Sequence, residues 1–219
     1  MRRPFLLALT AAAVLSAPLA AQTGNACAAK GAKLPVAGGW AEYQTDSGSM
    51  RIAYLGKEAL GERVEMSMTR AEGRRGRGGP MVMQMVVPSY PYEMSEVKEV
   101  VMQTGTEPPM KMSEQMLGMM RSRMPNASQM SNESCRRMTE VGRESITVPA
   151  GTFQTTHYRD AERGNDVWVS ASVPFGMIKA VAEGRTVLLA ASGTGATTKI
   201  NGTPQEMPGM MGPPGGRRP

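Results

Sequence analysis

The sequence is poor in the residues that catalysis and metal binding use most. It contains one histidine, two cysteines and 5% aromatic residues. It has no Gly-x-Ser-x-Gly, His-Glu-x-x-His or Cys-x-x-Cys motif, which excludes the common signatures of serine hydrolases, zinc proteases and dithiol enzymes. Beyond residue 21 no run of eighteen apolar residues occurs, so no transmembrane helix is expected. We therefore expect a non-enzymatic protein with no catalytic residue, no cofactor and no metal site.

The excess of basic residues is local. The net charge is +6, but five arginines lie in two segments rich in glycine and proline, and two more lie in the first three residues: Arg74, Arg75, Arg77, Arg217, Arg218, Arg2 and Arg3. A nucleic-acid-binding domain usually spreads its charge along one folded face. We therefore expect no nucleic-acid partner.

Residues 1–21 have the features of a cleaved signal peptide. Arg2 and Arg3 precede a short apolar run, and small residues follow before Gln22. This order is typical of export signals, and the run is too short for a stable membrane span. The twin arginines leave open whether the Sec or the twin-arginine route is used. The pattern predicts a periplasmic or secreted protein.

The two cysteines, Cys27 and Cys135, are expected to form a disulfide. An even number of cysteines in an exported chain favours pairing, whereas two free thiols are the alternative. Such a bond would anchor the polar lead-in 22–37 to the domain that follows.

Alternating apolar and polar residues predict a β-hairpin. Val64, Met66 and Met68 alternate with polar residues, and the segment 81–87 repeats the pattern after an Arg/Gly loop at 73–79, which we expect to be mobile. In this prediction the methionines face inward. Glu65 and Ser67 face solvent and tolerate substitution.

The remaining elements predict one β-rich domain over 38–200. Methionines at helical spacing predict a helix from Ser113 to Met124, which Ser113 caps and Pro125 ends. The segment 97–104 fits a strand or a helix. Several short strands follow, and residues 201–219, rich in methionine, proline and glycine, are expected to be a disordered tail.

Methionine is the unusual residue of this chain. Fifteen of the 21 methionines lie between Met66 and Met138. Three interpretations stay open: an ordinary core in which methionine fills irregular gaps, a deformable groove for an apolar ligand, and a Cu(I) site built from soft thioethers. The predicted groove residues are Met66, Met68, Met81, Met83, Met85, Met116 and Met120.

Other polar residues give weaker signals. His157 lies in a predicted strand, where a hydrogen-bonded structural role is expected. Asp160, Glu162 and Asp166 cluster near a turn, and we expect them to be solvated. Calcium binding is the alternative.

The second half of the chain carries a phrase that resembles a known group of proteins. Val148-Pro149-Ala150-Gly151-Thr152-Phe153, followed by Val173-Pro174-Phe175-Gly176, is similar to segments of uncharacterised exported bacterial proteins. The folds of those proteins resemble the periplasmic lipoprotein carriers LolA and LolB. The resemblance implies a mainly β fold: a curved antiparallel half-barrel with one or two helices across its open face.

Together these observations predict an exported envelope protein that binds an apolar ligand, a lipid or a hydrophobic protein segment, in a methionine-lined groove. The resemblance supports this only through the fold. A periplasmic Cu(I)-binding protein and an interaction module without a small ligand are the alternatives.

Overall fold

The computed structural model describes residues 30–31, 34–70, 79–90, 92, 94–123 and 133–207. The predicted signal peptide, most of the lead-in, the loop residues 73–78 and the last twelve residues of the tail lie outside this part of the chain. No helix in the described part is both long enough and apolar enough to cross a bilayer.

Twelve strands within the described residues form one sheet. All neighbouring strands pair antiparallel except β12 and β6, which pair parallel, and the order from edge to edge is β12-β6-β5-β4-β3-β2-β1-β11-β10-β9-β8-β7. The strands are β1 (Trp40–Thr45), β2 (Gly48–Glu58), β3 (Gly61–Arg70), β4 (Met81–Val87), β5 (Glu99–Thr104), β6 (Met110–Lys111), β7 (Thr139–Val148), β8 (Gly151–Asp160), β9 (Asn165–Val169), β10 (Met177–Ala182), β11 (Arg185–Gly193) and β12 (Gln205–Glu206). The prediction of a mainly β, antiparallel fold is confirmed in the form of an open sheet.

The predicted hairpin between the two alternating segments is confirmed in its register. Val64 pairs with Met85, Met66 with Met83 and Met68 with Met81. Directly opposite residues in neighbouring strands project from the same face of a sheet. The alternation therefore places these six side chains together, on what we call the front face. The ambiguous segment 97–104 forms strand β5.

One helix, α1 (Glu114–Arg123), packs on the front face. It begins where predicted, because the backbone N–H of Met116 donates to Oγ of Ser113 at 3.4 Å, which satisfies one of the free amides of the first turn. Leu117 is 1% exposed and packs in one cluster with Val64 and Met85. Arg121 fixes the other end by donating to the carbonyl of Val97 from Nη2 at 2.6 Å.

A second core cluster lies around strands β1, β10 and β11. Its members include Ala41, Tyr43, Phe175, Ile178 and Leu189, all buried. The turn between β7 and β8 joins this cluster, because the N–H of Ala150 donates to the carbonyl of Leu189 at 3.1 Å. The sheet therefore bends far enough for the β7–β8 hairpin to reach β11.

The prediction that Glu65 and Ser67 face solvent is wrong. Glu65 is 1% exposed and Ser67 is 8% exposed. Their face of the sheet, which we call the back face, is crossed by residues 194–207, the C-terminal strap. Alternation revealed the two faces of the strand, but it could not show that a distant segment covers the polar one.

The predicted disordered tail also needs correction at its start. The N–H of Asn201 donates to Oε1 of Gln103 at 2.9 Å. Farther along, the N–H of Gln205 donates to the carbonyl of Pro109 at 2.9 Å. The N–H of Met207 donates to the carbonyl of Lys111 at 2.8 Å. Residues 201–207 are thus bound to the sheet, and the remainder of the tail lies outside the described residues.

The structure describes only one of the two cysteines of the predicted disulfide. Cys135 lies in a helical turn at 133–137, and no cysteine among the described residues is free. Cys27 lies outside the described residues, so the pairing of Cys27 with Cys135 stays a prediction.

Candidate functional site

The front face of strands β2 to β5 carries three parallel rows of apolar side chains. The first row is closed. Val64, Met85 and Val100 lie opposite one another on β3, β4 and β5, and each is 1% exposed or less. Leu117 of α1 packs against them. This row is therefore part of the hydrophobic core, which needs no ligand to fill it.

The second row is partly covered. Ile52, Met66, Met83 and Met102 follow one another across the four strands. All four are half-buried and pack against the closed row, as Met120 of α1 does. The three methionines have unbranched side chains that can change rotamer without leaving the face, which gives this row a deformable surface.

The third row opens into a cavity. Met50, Met68 and Met81 lie opposite one another on β2, β3 and β4, and Thr104 continues the row on β5. The cavity has a volume of about 510 Å³, which is within the range of small-ligand sites. Its described lining consists of Thr45, Ser47, Gly48, Ser49, Met50, Met68, Thr69, Arg70, Gly79, Met81 and Thr104.

The described lining of this cavity carries little charge. Among the described lining residues Arg70 alone is ionisable, and it lies exposed at the end of β3. The other polar lining residues are mostly serine and threonine from the turn between β1 and β2. In its described part, the site therefore combines a thioether wall with the cation of Arg70, an arrangement that suits an apolar chain with an acidic group.

The structure divides the predicted groove residues among these environments. Met68 and Met81 line the cavity, whereas Met66 and Met83 lie in the partly covered row. Met85 does not line a groove, because it is 1% exposed and its sulfur lies 3.7 Å from the hydroxyl of Tyr92. Met116 and Met120 lie on α1, half-buried, and Met120 packs against the closed cluster.

Sequence reasoning missed Met50 and Met102 as members of the methionine rows. Met50 lies in strand β2, and the sequence did not reveal that β2 pairs with β3 so that Met50 faces Met68. Met102 lies in the segment with two possible structures. The alternation of Met50, Ile52 and Tyr54 was the available signal for β2.

A second polar cluster lies on strands β7 to β9, apart from the methionine rows. His157 is 7% exposed and stacks on Trp168 with ring centroids 4.3 Å apart. Its Nε2 lies 2.6 Å from Oδ1 of Asp166 and its Nδ1 lies 3.4 Å from Oε1 of Glu144. The indole N–H of Trp168 donates to the same Glu144 oxygen at 2.6 Å. The predicted structural role of His157 is confirmed: it joins three strands.

The acidic turn was expected to be solvated, but one of its carboxylates is buried. Asp160 is 1% exposed, accepts from Nε of Arg137 at 3.1 Å and accepts from the backbone N–H of Glu162 at 3.2 Å. Within the described residues, no three histidine, cysteine or acidic side chains are grouped so as to hold a metal ion. Asp160 thus caps the turn and fixes the 133–137 helical turn.

Asp166 should make stability depend on acid pH. Burial by itself would raise the pKa of Asp166, but the hydrogen bonds from Arg159 and His157 outweigh burial and hold the pKa below its ordinary value of 3.8. The stabilisation is therefore complete above pH 3.8 and is lost as the pH falls through the lowered pKa. We expect Asp166→Asn to flatten the fall in the free energy of unfolding between about pH 4 and pH 2. Urea titrations at several pH values across that range measure how steeply the free energy of unfolding changes with pH.

Asp46→Asn is the matched control for this prediction, because Asp46 lies exposed in the turn between β1 and β2. It should keep the slope of the unmodified chain. Equal slopes for Asp166→Asn and the unmodified chain would contradict the assignment of this linkage to Asp166.

Comparisons with known proteins find weak similarity to solved structures and nothing more. No known protein family matches the sequence, and no curated protein matches it. The chain is similar to the solved structure of a putative exported protein with a YmcC-like fold from Bacteroides fragilis (12% identity, TM-score 0.32, 74% of this chain and 98% of that chain). It is also similar to a putative lipoprotein from Parabacteroides distasonis (12% identity, TM-score 0.31, 74% and 97%). At these TM-scores we base no conclusion on either likeness, and a relation to LolA and LolB is not shown.

Proposed function

We propose that this chain is an exported, non-catalytic protein of the cell envelope that binds an apolar chain with an acidic group. One observation carries the proposal: three methionines from adjacent strands line an open cavity of about 510 Å³ that has Arg70 at its edge. Thioether side chains adapt to an irregular apolar ligand, and a guanidinium group pairs with a carboxylate or a phosphate. Export is supported by the order of Arg2, Arg3 and the apolar run in the sequence.

The same arrangement suggests in which direction the apolar chain of the proposed ligand would lie. The half-buried row of Met66, Met83 and Met102 lies next to the cavity row, on the side of α1. A chain that enters beside Arg70 would extend from Met68 and Met81 towards this row and displace flexible side chains rather than backbone. This supports our proposal of a lipid-binding envelope protein, and a half-barrel carrier like LolA or LolB is the finer form of this proposal.

Titration with a fluorescent long-chain fatty acid tests the site. Met68→Glu places a charge in the apolar wall and should weaken binding at least about tenfold. Leu60→Glu is the matched control, since Leu60 is 60% exposed in the turn at the opposite end of β2 and β3, and it should bind as the unmodified chain does. Equal affinities for the two variants would contradict the assigned site.

Arg70 is tested with a change of ligand. Arg70→Gln should weaken binding of the fatty acid while leaving binding of its methyl ester nearly unchanged, because only the acid carries the charge that Arg70 pairs with. A loss of equal size for acid and ester would show that Arg70 acts through packing alone.

Cu(I) binding is the second candidate, because three thioethers from adjacent strands face one cavity and soft ligands favour Cu(I). Replacement of Met50, Met68 and Met81 with leucine separates the two functions. Each replacement costs under about 1.5 kcal/mol, so fatty-acid binding should persist. Cu(I) binding would be lost together with the sulfur atoms. Tight Cu(I) binding by the unmodified chain, abolished in the leucine variant, would replace our proposal. Binding of neither probe would favour an interaction module.

A further inference from the structure

A groove on the back face of strands β3 to β5 combines buried polar side chains with the buried Val82 and Val101. Glu65, Gln84 and Gln103 lie on three adjacent strands and are 1%, 6% and 6% exposed. Polar side chains are rarely buried to this degree unless their hydrogen bonds are satisfied. Here the partners come mostly from the C-terminal strap, which lies far along the sequence from the three strands.

The groove contacts the main chain of the strap at alternate residues. The backbone N–H of Lys199 donates to both carboxyl oxygens of Glu65, at 3.1 and 3.0 Å. Two residues later, the N–H of Asn201 donates to Oε1 of Gln103 at 2.9 Å, and Nε2 of Gln103 donates to the carbonyl of Asn201 at 3.0 Å. Main-chain groups two residues apart point the same way only in an extended segment. The groove is therefore built to bind an extended peptide.

Side-chain contacts match the groove to the sequence of the strap itself. Oγ1 of Thr198 donates to Glu65 at 2.9 Å, and Nζ of Lys199 donates to Oγ of Ser67 at 3.3 Å. Farther on, Gln205 and Glu206 form strand β12, which pairs with β6. A peptide of another sequence would make the main-chain contacts alone, whereas a second copy of the strap would make all of them.

The start of the strap, directly after β11, contains a candidate hinge at Gly195. Gly195 has a φ of +77°, a conformation that glycine adopts readily. Two hydrogen bonds hold the described residues beside it: Nε1 of Trp40 donates to the carbonyl of Thr194 at 3.3 Å, and the N–H of Ala196 donates to the carbonyl of Gly38 at 2.8 Å. A change of path at this hinge would send the strap to another molecule without altering the groove.

We propose that the back-face groove is an interaction site for a second copy of this chain, which donates its residues 198–207 in trans. Exchange of an identical element is a low-cost route to dimers, because the exchanged contacts equal the internal ones. The internal strap competes with an effective concentration in the millimolar range. Exchange at micromolar concentration therefore requires that the internal pairing be weakened.

Two complementary full-length variants test this exchange. Lys199→Pro removes the N–H that Glu65 accepts and spoils the strap while leaving the groove intact. Glu65→Gln replaces one acceptor oxygen with a donor and spoils the groove while leaving the strap intact. We expect each variant alone to be monomeric in analytical ultracentrifugation and their mixture to form a 1:1 complex. The pair Asn201→Pro and Gln103→Leu repeats the test at the next contact, in case either first variant fails to fold.

A synthetic peptide identifies the ligand. Residues 196–207 as a labelled peptide should bind the Lys199→Pro chain at least about tenfold more tightly than the same residues in permuted order. Equal binding of the two peptides would overturn the assignment to a second copy, because the groove would then accept any extended segment.

Hydrogen exchange in the unmodified chain gives an outcome that does not depend on any variant. The amides of Lys199 and Asn201 should open with a lower free energy than those of Val64 and Met85. The proposal is overturned if the strap amides open only on global unfolding. It is equally overturned if folded variants form no complex when mixed at up to about 1 mM, the scale of a tethered segment's effective concentration.

Discussion

Met85→Glu is expected to lower the free energy of unfolding by about 4 kcal/mol or more, enough to unfold much of the protein. Met85 is 1% exposed and packs in the closed row with Val64, Val100 and Leu117. Among the described residues, the side chain of Met85 has one hydrogen-bonding contact: its sulfur accepts from the hydroxyl of Tyr92 at 3.7 Å. A carboxylate there would lose its hydration with no cation in the cluster to compensate for it.

Met68→Glu is the matched comparison, since it places the same charge two rows away on the same face. Met68 is half-buried and borders the open cavity, where water reaches the new carboxylate. We expect a loss of about 1 kcal/mol or less. Urea denaturation of both variants measures the difference. If the two losses were similar, the division of the front face into a closed row and a cavity row would be wrong.

Glu65→Leu should lower the free energy of unfolding by about 3 kcal/mol, although the alternation of the sequence predicts a neutral change. Leucine restores the buried volume but accepts no hydrogen bond. The N–H of Lys199, the hydroxyl of Thr198 and the amide of Gln84 would all lose the acceptor that they share in Glu65. Buried donors without an acceptor cost about 1–3 kcal/mol each, partly recovered by relaxation of the strap.

Glu140→Leu is the control, because Glu140 is exposed on the edge strand β7 and should change stability by about 0.5 kcal/mol or less. The strap should also become accessible to proteolysis in Glu65→Leu and remain protected in Glu140→Leu. A neutral Glu65→Leu with a protected strap would mean that the back face holds the strap through its other contacts.

The contrast between Met85 and Glu65 shows which structural features the periodicity of the sequence can predict. Alternation along β3 and β4 predicted which of their side chains share a face, since strand geometry has a period of two whatever lies above or below the sheet, and the structure supplied the pairing of individual residues. The helix start at Ser113 was predictable for a similar reason, because capping depends on neighbouring residues only. These local features did not depend on the rest of the chain.

Burial depends on distant segments of the chain, so the local sequence pattern predicted it wrongly. A polar face is normally solvated, so Glu65 and Ser67 were expected to be exposed. The strap comes from more than 130 positions away, and no local pattern in residues 194–207 distinguishes a bound segment from a free tail. Likewise, the gradient from Met85 to Met68 arises because α1 covers one end of the rows and leaves the other open.

By itself, then, the sequence determined the export pattern, the β class, the β3–β4 hairpin and the helix that packs on it, all of which follow from composition and short-range periodicity. Only the tertiary structure decided which methionines are core and which line the cavity. It also decided that Met50 joins them and that a distant polar segment closes the back of the sheet. These outcomes depend on pairings between strands and segments far apart in the chain, where each contact is decided by the whole arrangement rather than by the residues beside it.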